Sequence, residues 1–251
     1  MRPSRRQSSR KASQTMDVSQ TSLKNIDQKL ICFTRCLLLN RMTMVEELRT
    51  LYRQVFTNDQ LSQNFNRILE KVNANLKQTK IKIVSRKCEV SNLLYYVTVP
   101  TDLRPKQIWP NLMFKDEGEL NFMNTIIIEI INSAVGLIIR EQVLQKNEFI
   151  TSENAEKVFD KLVKENYLIE PRRGKYTFSV LATCELGQYF RSTFEDALKR
   201  CVFCKRVMFF GGLCQHCKSN GHFWCVAKYK ESLESKPVKC PSCHEVWILT
   251  M

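Results

Sequence analysis

Apolar residues recur at helical spacing in several segments of the N-terminal half of the chain. In IDQKLICFTRCLLLNRM they place Leu30, Phe33 and Leu37 on one face. MVEELRTLYRQVF has the same pattern, and so does the segment that ends at Leu76. KIKIVS then alternates with period two, and NLLYYVTV is rich in β-forming residues. The order of three helices and two strands predicts a winged-helix domain over residues 25–105.

A second unit of the same kind is predicted over residues 115–197. An apolar helix over 119–133 is followed by a shorter helix in SAVGLIIREQVLQ. Thr151 or Ser152 can cap a third helix in SENAEKVFDKLVKENY. YLIE and KYTFSV form a hairpin around PRRG, and one last helix covers LATCELGQYFRSTFEDALKR.

The net charge favours an anionic partner, but the distribution of the charged residues weakens that interpretation. The formal net charge is +14, which favours nucleic acid as a partner. Five of the positive charges and no acid lie in the Ser/Arg-rich residues 1–15, and residues 1–24 are predicted to be a disordered basic tail. The third helix of the second unit carries four acids against three lysines between 153 and 165, which suits protein packing better than a phosphate-lined groove. Arg172, Arg173 and Lys175 on the wing offer at most a weak DNA contact.

The remaining composition favours a chain without membrane segments in a reducing compartment. The longest apolar stretch, LNFMNTIIIEIINSAVGLII, is interrupted by polar residues and predicts a buried helix. No charged-then-apolar leader begins the sequence, so export is not expected. Clustered thiols in such a setting bind metal more often than they form disulfides.

The last fifth of the chain, residues 201–251, holds seven of the eleven cysteines and all three histidines. Eight of these residues form four pairs, each separated by two residues. A gap of two lets a tight turn present both side chains to one metal, and eight ligands suffice for two tetrahedral zinc ions. The pairs are Cys201 and Cys204, Cys214 and Cys217, His222 and Cys225, and Cys240 and Cys243.

Two assignments of these pairs to ions are open. Sequential pairing joins the first two pairs at one ion and the last two at the other. Interleaved pairing joins Cys201, Cys204, His222 and Cys225 as zinc 1, and Cys214, Cys217, Cys240 and Cys243 as zinc 2. We favour interleaving because it ties a segment with little core of its own into one unit. His216 is predicted to be an exposed bystander.

The ligand order, four Cys, one His and three Cys, occurs in PHD fingers and in variant RING domains. A PHD finger usually has an aromatic residue two positions before the seventh ligand, where this chain has Val238. RING domains favour an apolar residue in the first zinc loop and proline in the last. Val202, Phe203 and Pro241 meet that pattern, so the RING interpretation is better supported.

CQHCKSNGHFWCVAKY followed by CPSCHEVW closely resembles the RING-bearing family called non-SMC element one, which belongs to the chromosome-organising SMC five/six complex. The resemblance extends upstream through LVKENYLIEPRRGKYTFSVLATCELGQYF and leaves out residues 1–24. It implies an α+β chain of tandem winged-helix domains followed by a small cross-braced two-zinc RING-like domain over residues 198–251.

The same resemblance implies a nuclear, chromatin-associated ubiquitin ligase that acts in DNA repair and recombination. Its implied partners are a MAGE-type winged-helix subunit, a kleisin subunit and a ubiquitin-conjugating enzyme. A RING ligase uses no nucleophile, so the implied docking residues for the conjugating enzyme are Val202, Phe203, Pro241 and His244. His244 stands where many active RING domains have Arg or Lys. A non-catalytic assembly subunit that binds the MAGE-type partner is therefore the alternative function.

Overall fold

The computed structural model describes residues 28–56, 65–101, 114, 116–233 and 237–248. The predicted basic tail over residues 1–24 lies outside these ranges, as does most of the segment between the two predicted winged-helix units.

The first unit consists of three helices and a three-stranded antiparallel sheet with the order β1-β3-β2. The predicted helices and both predicted strands are present, and β1 is an additional strand that pairs with the end of the hairpin. Buried apolar side chains from all three helices form the core over the sheet. The elements are α1 (28–39), β1 (Met42–Met44), α2 (Val45–Val55), α3 (Phe65–Leu76), β2 (Ile81–Lys87) and β3 (Leu94–Pro100).

The second unit repeats this arrangement with a sheet of order β4-β6-β5. Asp116 caps α4 by accepting a hydrogen bond from the backbone N–H of Glu119, and Thr151 caps α6 in the same way through Asn154. The elements are α4 (Glu117–Asn132), β4 (Ile138–Ile139), α5 (Arg140–Gln145), α6 (Ser152–Lys164), β5 (Leu168–Arg172), β6 (Lys175–Phe178), α7 (Val180–Glu185) and α8 (Gly187–Phe194).

Two helix predictions in this unit were wrong in detail. The short second helix is only α5, because Gly136 turns the chain with φ of +78° and Ile138–Ile139 then pairs with β6. The last helix is two helices, α7 and α8, which meet at Leu186 with ψ of 0°. Gly187 follows at this break, and glycine has poor helix propensity.

The C-terminal segment has little regular structure. It contains a two-stranded sheet of β7 (Gly212–Leu213) and β8 (Asn220–Gly221) and one helix, α9 (Phe223–Glu231). Its own core is small and is built around Val226, Val238 and Trp247 together with two buried cysteines.

The three parts pack against one another. An apolar cluster that includes Val97 and Leu181 joins the first unit to α7 of the second. Beside it, Arg41 donates to the Tyr167 hydroxyl at 2.8 Å and forms an ion pair with Glu185 at 3.0 Å. The C-terminal segment inserts a side chain of its own, Phe209, into the core of the second unit.

The predicted fold class is confirmed: tandem winged-helix units are followed by a small domain whose ligands are arranged for cross-bracing. The predicted domain boundaries stay predictions. Among the helices within the described ranges, none combines the length and apolar character needed to cross a bilayer.

Candidate metal centre

Each of the three Cys-x2-Cys pairs closes in the same tight turn. The residue that follows the second cysteine donates its backbone N–H to the carbonyl of the first. These residues adopt the left-handed conformation, which lets the backbone curl around the two thiols. They are Lys205 (φ 63°, N···O 2.7 Å to Cys201), Lys218 (φ 61°, 3.0 Å to Cys214) and His244 (φ 63°, 2.8 Å to Cys240).

The first and last of these turns are also short hairpins. Arg200 bridges Val207 in the first, and Lys239 bridges Val246 in the last. The sequence therefore contains one structural repeat, RCVFCKRV and KCPSCHEV, at its two outer cysteine pairs. His244 occupies in the second copy the position that Lys205 occupies in the first.

The histidine-containing pair is positioned by a helix. His222 is the N-cap residue of α9, and Cys225 lies one turn further along. The carbonyl of His222 accepts hydrogen bonds from the N–H groups of Cys225 and Val226. This first helical turn fixes the directions of the two ligand side chains, His222 and Cys225.

The side chains converge in two groups of four, within each of which all ligand atoms lie within 4.8 Å of one another. The pairs alternate between the groups, so the interleaved arrangement is the one present. Each group could hold one metal ion. The first group is Cys201, Cys204, His222 and Cys225, and the second is Cys214, Cys217, Cys240 and Cys243.

The separations between ligand atoms fit tetrahedral zinc. In a tetrahedral site, Zn–S bonds of about 2.3 Å place two sulfurs about 3.8 Å apart. A sulfur and a nitrogen with a Zn–N bond of about 2.05 Å are about 3.6 Å apart. In the second group the Sγ···Sγ distances are 3.8 Å for Cys214 and Cys243 and 3.6 Å for Cys217 and Cys240. In the first, Nδ1 of His222 lies 3.4 Å from Sγ of Cys204 and 3.7 Å from Sγ of Cys225. The donor set of thiols and one imidazole is likewise the one that zinc prefers.

Electrostatics within the first group also favour a bound cation. Burial and the neighbouring thiols Cys201 and Cys204 raise the pKa of Cys225 to about 12. Burial raises the pKa of Cys201 as well, but hydrogen bonds from His222 and from the backbone N–H groups of Cys204 and Phe203 together outweigh burial and lower that pKa to about 6. Metal binding requires all three cysteines of this group as thiolates, and a divalent cation supplies the positive charge that stabilises them together.

The imidazole of His222 has a second neighbour outside the group. Its Nε2 atom lies 3.7 Å from a carboxylate oxygen of Glu89, which belongs to the first winged-helix unit. Both side chains are almost completely buried, with 3% and 6% of their surface exposed. Trp224 stacks on the imidazole face with 4.2 Å between ring centroids.

The structure separates the predicted docking residues by exposure. Val202 and Phe203 are half-buried against the same small core that Cys243 and Trp247 touch. Pro241 and His244 are exposed on the last zinc turn. The first and last zinc loops therefore flank one apolar cluster, and the docking surface for a conjugating enzyme stays a prediction.

The other predicted features lie away from the metal-binding groups. The wing turn is Arg173–Gly174, so Arg172 and Lys175 belong to the flanking strand ends and not to the turn. Arg172 and Arg173 are exposed, and His216 is exposed as predicted. The acidic face of α6 is solvent-facing, with Glu153 paired to Lys157 at 2.5 Å.

Sequence reasoning missed two residues that serve this region from a distance. Glu89 follows β2 in a polar turn, and its local sequence gives no sign of a buried carboxylate. Phe209 belongs to the cysteine-rich segment, but its ring packs on Phe178 and Phe190 of the second unit, with centroids 5.2 and 4.8 Å apart. Both positions depend on how separate units dock.

Comparisons of sequence support the predicted resemblance. No family model matches the chain. It is 34% identical over 136 residues to the Non-structural maintenance of chromosomes element 1 homolog of Bos taurus and 33% identical over 136 residues to that of Homo sapiens. Each match covers 52% of this chain and 50% of the relative. The chain therefore matches about half the length of these curated relatives.

The fold has a solved counterpart. A chain of a structure titled "Nse1-Nse3-Nse4 complex" superposes with a TM-score of 0.76 at 23% identity, over 89% of this chain and 97% of that one. At this identity the likeness establishes the fold. Together with the sequence relatives it confirms the predicted resemblance of this chain to the non-SMC element 1 proteins.

Proposed function

We propose that this chain is a RING-type ubiquitin ligase subunit of an SMC five/six complex. The observation that carries the proposal is the interleaved pair of four-ligand groups, whose first and last loops flank one apolar cluster. Two zinc ions held by the eight Cys and His ligands would fix these loops relative to each other. The sequence relatives and the shared fold support the same assignment.

The zinc ligands have a structural role in this proposal. Zinc supplies the folding energy that so small a core lacks. Val202, Phe203 and Pro241 form the apolar surface on which a ubiquitin-conjugating enzyme docks, and His244 lies beside it. Catalysis follows from holding the thioester of the conjugating enzyme in a reactive orientation, so this chain contributes position and no nucleophile.

The winged-helix units supply the assembly surfaces. The solved counterpart is named for a complex with Nse3 and Nse4, and by analogy we infer a MAGE-type partner and a kleisin partner for this chain. The charged outer face of α6 is suited to protein contacts, and the wing at Arg172 and Arg173 is suited to a weak contact with DNA phosphates. Location in the nucleus and participation in DNA repair and recombination belong to the same proposal.

A non-catalytic assembly subunit is the second candidate function, and His244 favours it. Residues at this position in active RING domains are commonly Arg or Lys, whose cationic side chains contact both the conjugating enzyme and ubiquitin. His244 keeps the left-handed backbone of the turn but provides an imidazole in place of a long cationic side chain. The chain would then depend on its partner for transfer, or act through assembly alone.

Discharge of ubiquitin from a charged conjugating enzyme distinguishes the two functions. The assay compares wild type with Val202→Ala, Pro241→Ala and His244→Arg, each with and without the MAGE-type partner. Lys230→Ala, at an exposed position of α9, is the matched control. The ligase proposal predicts slower discharge for the first two variants with unchanged zinc content, and equal or faster discharge for His244→Arg.

The outcome that rejects the ligase is equally specific. If wild type with its partner discharges ubiquitin no faster than the conjugating enzyme alone, and no variant changes the rate, the assembly function is correct. Partner binding measured on the same samples shows that the inactive protein is folded.

A further inference from the structure

Glu89 belongs to the first winged-helix unit, but most of its contacts are with the small metal-binding domain. It follows β2 of the first winged-helix unit, and its carboxylate is only 6% exposed. A carboxylate buried this deeply needs several hydrogen-bonding or cationic partners. All but one of the partners that the structure gives it belong to the C-terminal segment.

One carboxylate oxygen holds a loop. Oε2 of Glu89 accepts hydrogen bonds from the backbone N–H groups of Phe209 and Phe210, both at 2.8 Å. Successive N–H groups that point at one oxygen form a compact cradle that favours an anionic acceptor. It fixes the path of the chain between the first zinc turn and β7.

The other oxygen faces the metal-binding imidazole. Oε1 of Glu89 lies 3.7 Å from Nε2 of His222 and 3.4 Å from the guanidinium of Arg86. Nδ1 of the same imidazole is directed at the thiols of the first group, so Nε2 is left to bear the hydrogen. A histidine that binds metal through one nitrogen commonly directs the other N–H at a carboxylate, which fixes the ring and makes it a better ligand.

We propose that Glu89 is a positioning residue for the first metal-binding group, and that it couples metal retention to docking of the C-terminal domain on the first winged-helix unit. The same carboxylate orients His222 and holds residues 209–210. Metal binding and docking therefore stabilise each other, as thermodynamic reciprocity requires. The proposal rests on zinc binding, which is part of the proposed function, but it is independent of ligase activity.

The two oxygens can be tested separately in the full-length chain. Glu89→Gln keeps an amide oxygen for the two N–H groups but removes the charge that faces His222, whereas Glu89→Ala removes both. Glu119→Gln is the matched control, because Glu119 is also buried (7% exposed) but lies on α4 of the second unit. Two readouts apply: the rate at which a chelator removes each zinc ion, and hydrogen exchange at Phe209 and Phe210.

Removal of such an outer carboxylate lowers metal affinity by about 10- to 100-fold in other proteins. We expect both Glu89 variants to lose one zinc ion faster by about this factor while the second ion leaves at the wild-type rate. Substitution of cobalt identifies the affected ion, because a site with three thiolates and one imidazole differs in its visible spectrum from a site with four thiolates. Glu89→Ala should also increase exchange at Phe209 and Phe210, and Glu89→Gln should do so much less.

Two results would overturn the proposal. The first is wild-type release of both ions from both variants. The second is equal acceleration at both ions, matched by Glu119→Gln, since that indicates a general loss of stability. A wild-type protein that contains fewer than two zinc ions would instead refute the metal assignment in the proposed function, so the two failures are distinguishable.

Discussion

Phe209 offers the sharpest test of how the C-terminal domain is fixed to the rest of the chain. Its ring is 5% exposed and belongs to the core of the second winged-helix unit, although its backbone lies in the C-terminal segment. It meets Phe178 edge-on at 88° and Phe190 at 54°. Phe209→Ala would therefore empty a site in the core of the second unit that the C-terminal segment fills.

The expected magnitude follows from this burial. Truncation of a buried phenylalanine to alanine costs about 3–5 kcal/mol, through lost transfer free energy and the cavity that remains. Each aromatic contact contributes a further ~0.5–1.5 kcal/mol, so we expect the upper part of that range. Since about 1.4 kcal/mol is a factor of ten, undocking of the loop should become about 10³-fold more frequent.

Native-state hydrogen exchange measures this opening directly. The amides of Phe210 and Gly211 donate to Glu89 and to the carbonyl of Val135, so they exchange when the loop leaves both winged-helix units. Phe149→Ala is the control, because it removes the same side chain from an exposed position. That residue is 49% exposed, so its truncation should lower the free energy of unfolding by less than about 0.5 kcal/mol.

Exchange at these two amides that is no faster in Phe209→Ala than in Phe149→Ala would refute the argument. Phe209→Leu serves if the alanine variant does not fold, because leucine fills most of the site and should give an intermediate increase. An increase confined to the C-terminal segment, with α8 unchanged, would also contradict a ring that belongs to the core of the second unit.

Three further predictions follow from the described geometry. Metal analysis should find two zinc ions per chain. Cys204→Ser should speed hydrogen exchange at the start of α9, because the Cys204 thiol belongs to the same ligand group as His222 and Cys225; continued protection of these amides would contradict interleaving. Val202→Ala and Pro241→Ala should each slow ubiquitin discharge at unchanged zinc content, and discharge at the wild-type rate would remove this surface from the proposed docking site. Arg172→Ala with Arg173→Ala should weaken DNA binding and reduce the slope of log affinity against log salt by up to about 2, and an unchanged slope would exclude a phosphate contact there.

The local elements were largely predictable from the sequence, because they depend on nearby residues. Period-two alternation located β2, helical spacing located α2, and the N-cap signal at Thr151 or Ser152 located α6. The Cys-x2-Cys spacing predicted the turns, which are closed by hydrogen bonds within five residues. Two exceptions were sites where a short strand pairing overrode local propensity: β1 pairs with β3, and β4 with β6. A third was the break between α7 and α8 at Leu186.

By itself, the sequence determined the eight metal-binding side chains and their four pairs, because a gap of two residues fixes how neighbouring ligands point. Only the tertiary structure decided which pairs converge, because that depends on the path of the chain through β7, β8 and α9. It also decided the roles of Glu89 and Phe209. The carboxylate of Glu89 and the N–H of Phe209 are 120 positions apart, and only the docking of separately folded units brings them to 2.8 Å. No local pattern encodes such a contact, since its free energy exists only once both surfaces have formed.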